Sequence, residues 1–200
     1  MDFTSILEEA TARTGVSETI SRSDTILKLA ERHLNKELRG SSKMQTTLDI
    51  TTDASGNYTV PADFNGVKSL FKGRVKLHNT VQEYLKSYDG EYGYRVVGSA
   101  IETGLPNTTL SLTYYATLPN LKTNTTNWLS NEDPELYIYA IMWQALTFQA
   151  MREDDMQKIQ TLQLKASNMR SYLNELISSF VKNDVVNSYQ GMRVNVRAVQ

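Results

Sequence analysis

Two hundred residues, 40% apolar and 22% charged, suit an ordinary soluble globular chain of one large or two small domains, able to bury roughly 70% of its unfolded surface. A formal net charge of −1 argues against a dedicated nucleic-acid binder, and the absence of cysteine excludes disulfides and thiolate ligands. The start MDFTSILEEA lacks a basic segment followed by an apolar run, and no stretch approaches the ~20 apolar residues of a bilayer span, so the expectation is a soluble product made in the cytoplasm.

Residues 1–43 read as two helices. Phe3, Ile6, Leu7 and Ala10 recur at helical spacing until Gly15. In the second helix Ser21 and Asp24 fit a capping box, Ile26, Ala30 and Leu34 form a stripe, and Gly40 stands where a C-cap belongs.

Residues 44–116 change period and predict a small, mostly antiparallel β domain inserted between helices. MQTTLDIT alternates, and the DASGN turn predicts a hairpin into YTV, a strand that Pro61 ends or confines to an edge. GVKSLFKGRVKL and GYRVVGSAIET have strand composition broken by glycine, and between them Thr80 and Glu83 predict a short capped helix. TTLSLTYYA alternates cleanly, with Leu110, Leu112 and Tyr114 on one face.

Residues 117–132 show little period and predict a long irregular loop, a feature often tied to function. Trp128 is its candidate anchor, either on its own domain or on a partner. Residues 133–181 then carry two helices. Asp133 as N-cap and Pro134 at the first helical position open one with Leu136, Tyr139, Trp143, Leu146 and Ala150 along its stripe. After the MREDD junction, Ile159, Leu162, Ala166, Met169, Leu173, Leu176 and Phe180 follow a 3-4-3-4-3-4 spacing over three heptads, predicting a helix over about 155–181. Its narrow seam suits packing on helix 133–151 of the same chain or on a neighbouring copy.

Residues 182–200 predict an extended tail arm. In GMRVNVRAVQ, Met192, Val194 and Val196 alternate with Arg193 and Arg197. A strand added to a partner's sheet edge would seat the apolar set in pockets and leave the arginines for acidic groups; fraying is the alternative. Tyr189, Met192, Arg193, Val194, Val196, Arg197 and Trp128 are thus the candidate partner-binding residues.

Chemistry-bearing patterns are weak. His33 and His78 stand outside any metal spacing and read as packing and loop residues, so no metal or cofactor is expected. The clusters NEDPE and REDD stand at helix starts, where carboxylates complement the dipole and open amides. No GxSxG, GxxxxGK[ST] or GxGxxG occurs, and no catalytic residue is assigned. A polymer-degrading tail enzyme using Glu132 and Asp133 or Glu153 and Asp154, or a generic intracellular interaction module, are the rival readings.

The stretch LTYYATLPNLKTNTTNWLSNEDPELYIYAIMWQAL resembles the head-to-tail adaptor (connector) proteins of short-tailed bacteriophages. The elements are a strand ending in Tyr114-Tyr115, then LPNL, NTTNWL, an acidic-Pro helix start and an aromatic-rich helix. Upstream, YTVPADFNGVKSL and LAERHLNKELR are similar to the family's strand-PADF segment and second helix. The resemblance implies an α+β fold: a helical bundle with long C-terminal helices and a small β domain. It also implies a non-enzymatic virion protein of the neck, made in the host cytoplasm. The expected partners are the portal protein, the tail nozzle or tail tube, and other copies of itself in a ring of about twelve. DNA would pass through the channel without specific binding, and no membrane is involved.

Overall fold

The computed structural model describes residues 1–16, 18–80 and 92–197; at 18 and 187–197 it describes the backbone alone. The chain is mixed helix and sheet, with a helical C-terminal part, and divides into two units. One is Met1–Ser42 with Leu118–Gln200, the other Lys43–Thr117. Among the described residues no helix is long and apolar enough to cross a membrane.

The first unit is helical. Helix α1 (Phe3–Thr14) starts on Asp2, whose carboxylate accepts from the Ser5 N–H at 2.8 Å, and closes at Gly15, whose N–H donates to the Thr11 carbonyl. A short α2 (Glu18–Ser21) leads directly into α3 (Ser23–Glu37). The expected Ser21–Asp24 capping box does not form. Arg22 holds the N-cap position without a side-chain bond, because α2 already fixes the approach, and Asp24 instead pairs with Lys122 at 2.6 Å. Gly40 is likewise not the C-cap. It lies in the 3-10 turn Leu38–Gly40, close against Val181.

Helix α6 (Pro134–Ala150) is the centre of this unit. Asp133 and Pro134 open it as expected, but its buried set is broader than one stripe. Leu136, Tyr137, Ile138, Ala140, Ile141, Met142, Ala145, Leu146 and Ala150 cover most of its circumference, and α1, α2 and α3 pack on it. A helix apolar all round must be covered on all sides. Tyr139 and Trp143 end up half-buried at its margin.

After a turn at 151–155, α7 (Met156–Arg197) runs for 42 residues, about 63 Å, and packs on α6 of the same chain. All seven seam positions are buried or half-buried, and Leu173 is fully so. The helix continues far beyond Phe180, which corrects the expected extended arm at 182–200. Backbone through Arg197 is helical, with 198–200 outside the described residues. A helix satisfies its N–H and C=O groups within itself, whereas a lone strand needs a partner; alternation over ten residues was too short a signal against that.

The second unit is built of two four-stranded sheets. One runs β1 (Gln45–Thr51), β8 (Thr109–Ala116), β3 (Phe64–Lys72), β4 (Val75–Lys76), all antiparallel. The other runs β2 (Asn57–Thr59), β7 (Ala100–Thr103), β6 (Gly93–Val97), β5 (His78–Asn79), with only β5 and β6 parallel. Ile50, Leu70, Leu77, Tyr94, Ile101, Leu110, Leu112 and Tyr114 form the core between the sheets. The expected hairpin between β1 and the YTV strand is therefore wrong. Thr52 binds across to the Leu105 and Thr108 carbonyls, and the Asp53 carboxylate caps a turn through the Ser55 and Asn57 N–H groups. The chain leaves one sheet and enters the other. The short helix expected from Thr80 falls on residues 81–91, outside the described residues.

Candidate functional site

Residues 117–132, expected as an irregular loop, form two short helices, α4 (Leu121–Asn124) and α5 (Trp128–Glu132). Polar side chains hold them, which is why no apolar period betrays them. Asn120 caps α4 by accepting from the Thr123 N–H at 3.1 Å. Glu31, buried on α3, accepts from the Leu121 N–H and from Asn120 Nδ2, each at 2.8 Å. Burial raises the Glu31 carboxyl above its ordinary value of 4.5, against the opposing pull of these two bonds. Asn35 accepts from the Leu118 N–H at 2.7 Å.

Asn127 opens α5 as its N-cap through a reciprocal box with Ser130 and donates through Nδ2 to the Pro119 carbonyl and the Tyr137 hydroxyl. The hydroxyl of Tyr137 is fully buried, and that burial raises its pKa far above the phenolic norm. From the N-terminus, Phe3 N–H donates to the Thr125 carbonyl and the terminal ammonium to the Ser130 carbonyl. The Asn127-x-x-Ser130 spacing is the one local signal for α5, and the loop expected over 117–132 misses it; the partners Glu31, Asn35 and Tyr137 carried no local signal.

Trp128 packs on its own chain, stacked on Phe180 of α7 with centroids 6.1 Å apart. One turn further on, Asp184 accepts from the Ser41 hydroxyl at 2.8 Å and from the N–H and hydroxyl of Ser42 at 2.6 and 2.9 Å. Tyr189, Met192, Arg193, Val194, Val196 and Arg197 fall on the helical backbone of α7, not on a strand. Their side chains lie outside the described residues, so a docking role for them stands on sequence.

Members of both acidic clusters are engaged in local structure. Glu135 forms a bidentate pair with Arg13 at 2.8 and 2.9 Å, and Asp155 caps α7 through the Gln157 and Lys158 N–H groups. His33 packs edge-on against Trp143 at 4.8 Å, and desolvation lowers its pKa below 6.5. His78 lies on β5, exposed. Among the described residues no three His, Cys, Asp or Glu side chains converge as metal ligands.

These side chains build a scaffold, and a family match over nearly the whole chain gives its class, the phage structural adaptor, a component of the virion. The model of the SU10 adaptor protein family matches residues 1–197, a span that takes in both units, and the chain belongs to that family. None of the curated proteins compared matches it.

Proposed function

We propose that the protein is a head-to-tail adaptor whose copies, about twelve, form a ring beneath the portal, extend the DNA channel and present the surface on which the tail docks. The observation that carries this reading is the family match through residues 1–197. The form of α7 supports it: a helix about 63 Å long whose inner seam is spent on its own unit, while Leu164, Tyr172, Val185 and Val186 remain exposed for a neighbouring copy. Tyr189, Met192, Arg193, Val194, Val196 and Arg197, at the end of that helix, are the proposed contacts to portal or neighbour, with Trp128 fixing the adjoining segment.

The isolated protein is a monomer or weak oligomer, because one docked copy raises the effective concentration of the next. Mixing it with the portal of the same phage and imaging by electron microscopy tests the proposal. Rings stacked on portals are expected, and a chain lacking residues 188–200 should keep its thermal midpoint yet fail to attach. Portals that remain bare with the full chain overturn the adaptor role; firm attachment of the shortened chain overturns the role of its C-terminal residues.

A further inference from the structure

The β3–β4 hairpin carries a concentration of charge that nothing in its own fold explains. Between Asp63 and Glu83 the chain has no acidic residue and four basic ones, Lys68, Lys72, Arg74 and Lys76, although its net charge is −1. Lys72 faces Val75 and Phe71 faces Lys76 across the ladder, so Gly73 and Arg74 form a two-residue turn, with Gly73 at φ 57° where the first loop position favours glycine. Lys72 shares a face with its partner Val75, and Lys76 lies on the opposite face with its partner Phe71, so the tip carries one cation on each face of the hairpin and Arg74 at its turn.

Several cations elsewhere in the chain are paired with carboxylates: Arg13 with Glu135, Arg95 with Glu102, Lys122 with Asp24. Among the described residues Lys72, Arg74 and Lys76 have no carboxylate partner. The Lys72 ammonium lies over the Tyr92 ring at 4.5 Å and donates to its hydroxyl at 3.4 Å, contacts that hold it without cancelling its charge. Arg74 and Lys76 are exposed.

We infer that this hairpin tip is a sequence-independent contact to the backbone of duplex DNA. A protein partner is the poorer fit. Protein interfaces are depleted in lysine and centred on buried aromatic anchors, whereas the one apolar residue at this tip is Val75, 45% exposed. On the face that carries Lys76, β8 places Ser111 next to Phe71 and Thr113 next to Ser69, and Thr47 bonds Thr113 at 3.0 Å. Lysine, arginine and hydroxyl side chains are the usual set for phosphate oxygens. Three cations neutralise few phosphates, so the contact is weak at physiological salt and guides DNA without holding it. The choice of duplex DNA rests on the adaptor reading.

The test is fluorescence anisotropy of a labelled random-sequence 30-base-pair duplex with the full chain at about 50 mM salt and upward. Binding indifferent to sequence is expected, with a slope of log affinity on log salt of about −3. The variant Lys72→Ala/Arg74→Ala/Lys76→Ala should lose at least about tenfold in affinity at the lowest salt while keeping its thermal midpoint. Arg74→Glu alone, at an exposed turn position, should weaken binding in the same direction. No binding by the unaltered chain, or equal binding by the triple variant, overturns the inference. So does a labelled polyglutamate peptide that binds the hairpin more tightly than the duplex does, since that would identify an acidic protein as the partner. Ring formation on the portal is scored separately: bare portals with intact hairpin-dependent DNA binding defeat the adaptor reading and not this one.

Discussion

The indole of Trp128 stacks on the ring of Phe180 with centroids 6.1 Å apart and planes 27° from parallel, joining α5 to α7. Each ring is half-buried, and their pairing is a feature that stability measurements can isolate. In a double-mutant cycle on Trp128→Ala and Phe180→Ala, the coupling should be about 0.5–1.5 kcal/mol, as for other aromatic pairs. Urea unfolding of the four proteins measures it; additive losses would mean that the stack contributes nothing of its own.

Leu173 is the most enclosed point of the α7 seam. Leu173→Ala should cost about 2–5 kcal/mol of stability through lost burial and the cavity left behind. Lys165→Ala, on the exposed side of the same helix, should stay within about 0.5 kcal/mol. Chemical denaturation of both variants checks the assignment of the helix face.

Gly56 combines φ 83° with a near approach of backbone: a Cβ placed there would lie 2.5 Å from the Thr103 carbonyl oxygen. Its own carbonyl accepts from both the N–H and the hydroxyl of Thr103. Gly56→Ala should therefore cost more than the roughly 1–3 kcal/mol of left-handed strain alone. Gly73→Ala, at φ 57° with nothing near its Cβ, should cost no more than the strain. Thermal midpoints that rank the two variants the other way would contradict the geometry.

Glu31 sets a pH dependence whose sign follows from its burial. Its pKa in the folded chain lies above the unfolded value near 4.5. Its contribution is thus fully present below that unfolded value and falls as pH rises through the folded one. Glu31→Gln removes this titration. It also sets an amide donor against Asn120 Nδ2, which cannot reverse without losing its cap on Thr123. The variant should be less stable than the parent at acid pH, with the deficit shrinking toward neutrality. Thermal midpoints from pH 3.5 to 7.5 follow the difference, and a deficit that grows with pH would reverse the assignment.

Much was legible wherever one periodicity met one environment. The alternation of Leu110, Leu112 and Tyr114 is the core face of β8, the Asp133-Pro134 pair opens α6, and the heptad spacing from Ile159 to Phe180 is the buried seam of α7. The quoted motifs around Tyr114 and Pro134 sufficed to point to the adaptor family. These features depend on local chemistry: strand pleat, helix caps and the repeat of apolar side chains.

What only the tertiary structure decided were pairings between distant residues. β1 pairs with β8 and not with β2, because Thr52 is bonded to carbonyls more than fifty residues away. Residues 117–132 are ordered by Glu31, Asn35 and Tyr137, polar partners on helices that no spacing rule connects to them. The strand-like pattern at Met192, Val194 and Val196 yielded to a helix propagated from α7, since each further turn supplies its own backbone bonds and an edge for a strand must come from elsewhere. Periodicity states which face of an element is apolar; which distant group satisfies a buried amide or carboxylate is decided by the fold that brings them together.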